Sequence, residues 1–177
     1  AYILQQLNKH GYEAYIVGGC VRDSLLGKQP NDWDITTSAK PEAVKAIFHR
    51  TIDTGIQHGT VTVLVDREIL DDGRGSPASH TDYAFEVTTY RVDGVYTDHR
   101  RPESVCFTAS LEEDLKRRDF TINAMAYNPE QGVIDIFGGQ EDLEKGIIRC
   151  VGEASERFDE DALRILRAVR FAAQLDF

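Results

Sequence analysis

The stretch AYIVGGCVRDSLLGKQPNDWDITT, residues 14–37, decides the fold, because it predicts a strand, a helix and a second strand in close succession. AYIV is apolar, as a buried strand is, and it runs into Gly18-Gly19. CVRDSLLG predicts a helix that ends at Gly27, and DWDIT predicts the next short strand. A chain that changes between strand and helix over so short a distance is typical of a mixed α/β or α+β domain.

Helices and strands also alternate along the rest of the chain. Residues 3–9 predict a helix, and Pro41 opens another. Ser110 opens a third helix, where Glu113 completes a capping box. Strands are predicted at 59–66, 82–91, 132–137 and 147–151, the last two around a Gly-Gly turn. Residues 67–81 are rich in Gly, Ser, Asp and Pro and predict a long hairpin tip.

The final segment, residues 159–177, is the most periodic part of the chain and predicts an amphipathic helix. Its apolar stripe consists of Leu163, Leu166, Val169 and Ala173. Together these patterns predict a small mixed sheet flanked by helices, of the α/β (α+β) class.

The composition is that of a globular protein, with 177 residues, 41% of them hydrophobic and 28% charged. This length suits one domain with the start of a second. No apolar run approaches the roughly 20 residues that span a bilayer. Three widely spaced cysteines without a Cys/His ligand pattern indicate reduced thiols and a cytoplasmic protein. The formal net charge of −10 argues against a protein that coats nucleic acid by charge alone.

Asp32 and Asp34 are the first candidates for chemistry. Residues two apart on a strand point to the same face, so both carboxylates aim at one point while Trp33 turns away and packs. Two carboxylates so close repel each other, and Mg²⁺, which accepts one or two carboxylates plus substrate phosphates, removes the repulsion. Glu86 at mid-strand is the third acid, with Asp82 as the alternative of equal parity. Taken alone, these acids are also consistent with strand ends and edges that face water.

The glycine turn offers a place for phosphate. Gly18 and Gly19 lie between a strand and a helix, where backbone N–H groups and a helix N-terminus can cradle phosphate at close approach. Arg22, one turn into the helix, can neutralise phosphate charge. A plain strand-to-helix turn is the alternative, but a phosphate cradle and a metal-binding pair of carboxylates need each other.

The last helix carries a candidate base-reading pair. Asp161 and Arg164 are three residues apart and therefore neighbours on one face. Such a pair matches the amine and ring nitrogen of cytosine or adenine, whereas uracil and guanine present the opposite polarity. The alternative is an ordinary salt bridge. Arg167 continues the series, and Arg170 drifts to the far side of the helix.

A second basic group precedes FTINAMA. Arg118 can hold a triphosphate, and Asp119 or Asn123 can bind a ribose hydroxyl, whereas a basic and solvated helix turn is the alternative. His58 and the pair Arg100-Arg101 lie in predicted loops and are further candidates for substrate contact.

Five blocks in a fixed order resemble the class II tRNA nucleotidyltransferases, the CCA-adding enzymes, and their bacterial poly(A) polymerase relatives. The blocks are VGGCVRDSLLG, NDWDITTSA, FEVTTYR, LEEDLKRRDFTINAMAYN and RFDEDALRILRAVRFA, and they cover nearly the whole chain. The resemblance implies a nucleotidyltransferase (polymerase beta-like) catalytic head over residues 1–150. It further implies that residues 151–177 start a helical neck with the nucleotide-selecting helix, and that the remaining neck, body and tail are absent from this sequence.

The resemblance also implies roles for individual residues. Asp32 and Asp34 match metal-binding carboxylates, and Glu86 matches the third acid. Asp161 and Arg164 match a protein template that pairs with CTP or ATP. The nucleotide-binding residues that the motifs and the resemblance together predict are Gly18, Gly19, Arg22, Arg118, Asp119, Asn123, Asp161, Arg164, Arg167 and Arg170.

The reaction that the resemblance implies is CCA addition. The 3′-hydroxyl of a tRNA attacks the α-phosphate of CTP, then of ATP, and pyrophosphate leaves, with two Mg²⁺ ions held by Asp32 and Asp34. The expected partners are the tRNA 3′ end, CTP and ATP, without a membrane. A poly(A) polymerase, or an enzyme that adds only CC or only A, is the nearest alternative. A nucleotide-binding module without catalysis is the alternative from another class.

Overall fold

The computed structural model describes residues 1–66, 69, 82–94 and 104–177. Helices in these ranges, numbered in chain order, are α1 Tyr2–Lys9, α2 Gly19–Leu25, α3 Pro41–Ile47, α4 Leu111–Lys116, α5 Gly139–Lys145, α6 Ala154–Glu160 and α7 Leu163–Leu175. Strands are β1 Ala14–Val17, β2 Asp34–Thr37, β3 Thr51–Gly55, β4 Thr60–Val65, β5 Tyr83–Thr89, β6 Arg91–Asp93, β7 Val105–Phe107, β8 Met125–Asn128 and β9 Gly132–Asp135. Short 3₁₀ helices lie at Ile56–His58 and Thr121–Asn123.

Seven of the described strands form one mixed sheet in the order β3-β4-β5-β2-β1-β8-β9. Strands β2 and β5 run parallel, and the other neighbouring pairs described in this sheet run antiparallel. Strands β6 and β7 form a separate two-stranded sheet. The predicted α/β class, with a mixed sheet and flanking helices, is confirmed.

Two apolar clusters place the helices around this sheet. The first joins α1 and α3 to β4 and β5 through Leu7, Val44, Val61, Val63 and Val87. Each of these side chains is at most 1% exposed, and full burial of one such side chain contributes roughly 1.5–3 kcal/mol. The second cluster comprises Val21, Phe120, Ile122, Met125, Leu143, Cys150 and Phe171. It fixes the last helix, α7, beside the helix α2 that follows the glycine turn.

Most local predictions are confirmed. Helices α1, α2 and α3 and strands β1, β4 and β5 lie where the sequence predicts them, within a few residues. The Ser110 hydroxyl accepts the N–H of Glu113 (3.3 Å) and so caps α4. Apart from Ile69, the predicted hairpin tip at 67–81 lies outside the described residues.

The predicted strand at 147–151 is wrong, and the Gly-Gly turn before it opens helix α5 instead. The Asp135 carboxylate accepts the N–H groups of Gly139 (2.8 Å) and Gln140 (2.9 Å), so this acid at the end of β9 caps the helix. Cys150 makes an isolated bridge rather than a ladder.

The helix predicted at 159–177 is present over Leu163–Leu175 and starts later than predicted, because residues 159 and 160 end a separate helix, α6. Helix α6 ends at Glu160, and Asp161 has a non-helical backbone conformation (φ −142°, ψ 101°). Helix α7 then starts at Leu163, whose N–H donates to the Asp161 carboxylate (3.0 Å). An aspartate side chain that bonds the backbone two residues on competes with the helical ladder, which explains the break.

The apolar stripe predicted on the last helix faces solvent in this chain. Its members Leu163, Leu166, Val169 and Ala173 are all exposed, the first three by 43%, 66% and 65%. The face of α7 that packs against the domain instead carries Arg164 and Phe171, which are 5% and 6% exposed.

Candidate functional site

Three acids border one open recess of about 350 Å³. Asp34 begins β2 and is in register with Glu86 on the parallel neighbour β5, so the two side chains lie beside each other on one face of the sheet. Asp32 lines the same recess from the segment that precedes β2. The complete lining is Asp32, Trp33, Asp34, Thr62, Ala84 and Glu86. The structure therefore brings together the three acids that the sequence singled out.

Asp32 lies before strand β2, contrary to the prediction that it shares a strand with Asp34. Strand β2 starts only at Asp34, so the alternation of a strand cannot place Asp32. Trp33 also does not simply turn away, because it borders the acid recess and lines a neighbouring apolar recess of about 280 Å³. That second recess includes Ile16 and Leu25. The indole thus forms a wall between the two.

Asp82, the alternative third acid, does not line this recess. Its carboxylate accepts hydrogen bonds from Arg50, one of them at 2.9 Å, and Arg50 also binds Asp66. These hydrogen bonds hold the pKa of Asp82 below its ordinary value. Arg50 therefore links the end of β4 to the start of β5, and Glu86 is left as the third acid of the recess.

The electrostatics of the recess fit a hard divalent cation. Desolvation raises the pKa of Asp34, the nearby Asp32 carboxylate raises it further, and the positive charge of Arg118 acts in the opposite direction. In the described ranges, no three His, Cys, Asp or Glu side chains converge closely enough to hold a metal by themselves. Two carboxylates suffice for Mg²⁺, however, when substrate phosphates supply further oxygen ligands.

The glycine turn is shaped by an arginine from another part of the chain. Gly18 has φ +84°, and a Cβ there would lie 3.2 Å from Nη1 of Arg118. The Gly18 N–H donates to the Met125 carbonyl (3.1 Å), so it secures the turn to β8 instead of facing a ligand. Gly19 starts α2, and a Cβ there would contact the guanidinium of Arg22. The turn thus carries two guanidinium groups close to its backbone.

A chain of hydrogen bonds connects four of the predicted nucleotide-binding residues. Arg22 donates to the Asn123 amide oxygen (2.7 Å), and the Asn123 amide nitrogen donates to Asp119 (3.3 Å). Asp119 then accepts from Nε of Arg167 on α7 (2.6 Å). Arg22, Asp119 and Asn123 are all under 10% exposed. This chain joins the glycine-turn helix to the last helix through the interior.

The ring of Phe171 gathers three arginines of the same set. The guanidinium carbons of Arg22, Arg167 and Arg170 lie 5.1, 5.2 and 4.9 Å from its centroid. Such cation–π contacts are favourable at these distances. The helical position of Arg170 predicted a side chain directed away from the other arginines. The side chain nevertheless contacts the same Phe171 ring.

Asp161 and Arg164 lie near each other in sequence but are engaged separately. Arg164 donates to Glu160 (2.8 Å) and to the carbonyls of Arg157 (3.2 Å) and Arg117 (3.4 Å). The Asp161 carboxylate accepts the backbone N–H that opens α7. The guanidinium of Arg164 is therefore largely covered, and it connects α7 to the basic block before the second 3₁₀ helix.

Sequence reasoning missed Asp114. Its side chain is fully buried and accepts hydrogen bonds from Thr36, Arg117 and Arg118 and from the Arg91 backbone. The signal was present, because this acid lies three and four residues before Arg117, the C-cap of α4, and Arg118. The predictions for that block named Arg118, Asp119 and Asn123 but not Asp114.

Two of the looser candidates have different outcomes. His58 ends the first 3₁₀ helix with an exposed side chain, and its carbonyl accepts a hydrogen bond from Arg91. Arg100 and Arg101 lie outside the described residues. In the ranges that the structure covers, no helix combines the length and apolar character that a membrane crossing needs.

Comparison with known proteins adds independent findings. The family described as Poly A polymerase head domain matches residues 14–149. A CCA-adding enzyme of Geobacillus thermodenitrificans is 59% identical over 175 residues, which are 99% of this chain and 40% of that protein. The chain therefore spans about 40% of the length of such a curated relative.

Solved structures give the same result. The crystal structure of the Bacillus stearothermophilus CCA-adding enzyme in complex with CTP matches with a TM-score of 0.80 and 52% identity, over 97% of this chain and 37% of that one. The Thermotoga maritima CCA-adding enzyme complexed with tRNA matches with a TM-score of 0.70 and 29% identity, over 99% and 37%. These matches confirm the resemblance that the five ordered motif blocks indicate.

Proposed function

Because this chain belongs to the Poly A polymerase head domain family, we propose that it is the catalytic head of a metal-dependent nucleotidyltransferase that completes the CCA end of tRNA. The observation that carries this proposal is the recess in which Asp34 and Glu86 lie in register and Asp32 joins them. The names of the similar proteins, which include a CTP complex and a tRNA complex, support the substrate class.

Each acid has a proposed task in the transfer. Asp32 and Asp34 would hold two Mg²⁺ ions, which would neutralise triphosphate charge and lower the pKa of the attacking hydroxyl. Glu86 lies beside Asp34 and supports the 3′-hydroxyl of the tRNA or accepts its proton. The 3′-oxygen forms a bond to the α-phosphorus of CTP or ATP, the bond to the bridging oxygen breaks, and pyrophosphate leaves.

The nucleotide is proposed to bind across the glycine turn. Gly18 and Gly19 allow the guanidinium groups of Arg118 and Arg22 to lie against the turn, where they supply positive charge for the phosphates. The polar chain through Asp119 and Asn123 to Arg167, with Arg170 beside it, is proposed to hold the nucleoside end.

Base selection is assigned to Asp161 and Arg164. The carboxylate would accept from the exocyclic amine of cytosine or adenine, and the guanidinium would donate to the ring nitrogen. For this role Arg164 must exchange its hydrogen bond to Glu160 for the base.

The tRNA is proposed to be held mainly by regions beyond this chain, since the chain spans about 40% of a curated relative. On this view residues 1–150 form the catalytic head, and residues 151–177, with α6 and α7, start the neck. We place the reaction in the cytoplasm, where tRNA, CTP and ATP occur together.

Substitution of the paired acids tests the proposal. In the full-length protein, Asp34→Asn removes the charge at nearly constant volume, and so does Asp32→Asn. Each should lower CMP addition to a tRNA lacking its 3′ end by at least about 10³-fold, because cation binding is lost. The matched control is Asp53→Asn, which changes an exposed strand acid paired with Lys45. Near-normal turnover of Asp34→Asn, with its thermal unfolding unchanged, would remove Asp34 from the site.

The description of the matching family also supports a second candidate, a poly(A) polymerase. An enzyme that adds only CC or only A uses the same acids and the same turn. Sequencing the products made from a truncated tRNA with each nucleotide in turn distinguishes these activities, because a CCA end, a partial end and a run of A differ directly. Binding of CTP and ATP without pyrophosphate release would instead indicate a non-catalytic nucleotide-binding module.

A further inference from the structure

The carboxylate of Asp114 accepts hydrogen bonds from β2, from β6 and from the two arginines that follow its own helix, α4. Its Oδ1 accepts the Arg91 backbone N–H (3.3 Å) and Nε of Arg117 (3.0 Å). Its Oδ2 accepts the Thr36 hydroxyl (3.0 Å) and Nη2 of Arg118 (3.3 Å). Although burial acts to raise the pKa of this carboxyl, the guanidinium groups of Arg118 and Arg117 and its hydrogen bonds hold the pKa below the ordinary value.

Oδ2 links the acid recess to the nucleotide arginine. Thr36 lies on β2 two residues after Asp34, so the strand that begins with a recess acid is bonded to Asp114 directly. Arg118 is bonded to the same oxygen. The Asp114 carboxylate is therefore bonded both to Arg118 and to the strand that begins with Asp34.

The guanidinium of Arg118 is held by a hydrogen bond to Asp114, but not all of its N–H donors have a partner among the described residues. Its Nη1 lies 3.2 Å from the point that a Cβ at Gly18 would occupy, so the guanidinium rests against the glycine turn. Its Nε is buried, and in the part of the chain that the structure describes it has no hydrogen-bond partner. A buried donor without an acceptor is costly, and a guanidinium satisfies such donors readily with phosphate oxygens.

We propose that Asp114 is a positioning residue, which holds Arg118 against the glycine turn so that its free donors meet the phosphates of an incoming nucleoside triphosphate. The proposal rests on the proposed function, because it assigns Arg118 to a bound triphosphate. Asp114 itself touches no substrate and acts only through Arg118.

Asp142 provides a matched control. It too is a nearly fully buried aspartate, at 4% exposure, that accepts a threonine hydroxyl, from Thr121 (2.7 Å), and an arginine, Arg149 (3.0 Å). Arg149 has a largely exposed side chain and is not among the predicted nucleotide-binding residues. A neutral substitution at Asp142 therefore removes a comparable buried carboxylate without disturbing Arg118.

The experiment is a double-mutant cycle in the full-length protein, read as the Kd for CTP with Mg²⁺ and without tRNA. Asp114→Asn should weaken CTP binding by about 10- to 100-fold, the range seen when an outer partner of a binding group is removed. In an Arg118→Ala background, Asp114→Asn should not weaken CTP binding further, because the arginine through which Asp114 acts is already absent. Asp142→Asn should change Kd by no more than about two-fold in either background.

The outcomes distinguish a failure of the proposed function from a failure of the inference about Asp114. If the wild-type protein does not bind CTP, the proposed function fails. If the wild type binds CTP but Asp114→Asn weakens binding equally with and without Arg118, Asp114 is merely structural and this inference is overturned. Should Asp114→Asn unfold below the assay temperature, Thr36→Val replaces it. That variant should weaken CTP binding only when Arg118 is present, and an equal loss in both backgrounds would overturn the inference.

Discussion

At the scale of single residues, the backbone conformation and a close side-chain contact both favour glycine at Gly18. Its φ of +84° lies where L side chains are strained, and its missing Cβ leaves the space that Arg118 occupies. Gly27 also has a positive φ, of +68°, but no atom lies within 4 Å of where its Cβ would be. Both glycines thus have a backbone conformation that favours glycine, but only at Gly18 would a Cβ contact another residue.

Substituting these glycines separates the two effects. Gly18→Ala and Gly27→Ala should each lower the free energy of unfolding by about 1–3 kcal/mol, because a strained backbone conformation is imposed on alanine. Only Gly18→Ala should also weaken CTP binding, because its Cβ displaces the Arg118 guanidinium. Denaturant unfolding and a CTP titration measure both quantities. Equal CTP affinity of the two variants would mean that Arg118 does not depend on the open space at Gly18.

At the scale of elements, helix α4 is short but carries Asp114, whose carboxylate accepts a hydrogen bond from Arg118. Its start is defined by Ser110, whose hydroxyl accepts the Glu113 N–H. Acidic side chains in the first turn, Glu112, Glu113 and Asp114, are favourable there because the helix N-terminus has partial positive charge. The helix therefore begins where its sequence predicts, and it presents Asp114 inward.

Removal of the cap tests this element. Ser110→Ala should lower the free energy of unfolding by about 1 kcal/mol, the usual cost of a lost N-cap. The control is Ser155→Ala, since the exposed Ser155 hydroxyl bonds only the neighbouring Glu153 side chain among the contacts described. Urea unfolding followed by circular dichroism gives both values. A loss at Ser155 as large as that at Ser110 would show that the cap is not the source of the effect.

Elements with a strong local pattern could be predicted, and those defined by distant contacts could not. Strand β4 alternates apolar and polar residues, and the sequence predicted it. The edge strand β3 was not predicted, because it is mostly exposed and has no apolar pattern. Helix α5 was missed because its cap, Asp135, belongs to the preceding strand. At the site, Asp34 and Glu86 were both predicted as candidates, but their register depends on a parallel pairing that sequence spacing does not encode.

At the scale of the whole molecule, the arginines of the site are mostly neutralised from within. Arg22 pairs with Asp23, Arg164 with Glu160 and Arg167 with Asp119, while Asp114 serves both Arg117 and Arg118. The formal net charge of the chain is −10. The proposed triphosphate site therefore lies in a chain whose net charge repels a long polyanion.

This charge balance predicts that the 177-residue chain alone binds CTP but holds tRNA weakly. The arginines Arg22, Arg117, Arg118, Arg164 and Arg167 are already paired with carboxylates, and the net charge of −10 adds repulsion, so both effects oppose association with the RNA backbone. We expect the tRNA affinity of the chain to be at least about ten-fold lower than that of the full-length protein at the same salt concentration, while the Kd for CTP stays within about two-fold. Fluorescence anisotropy with labelled tRNA, together with a CTP titration on the same samples, makes the comparison. Equal tRNA affinity of the two proteins would locate the tRNA contacts within residues 1–177. It would contradict the proposal that other regions of the full-length protein bind most of the tRNA.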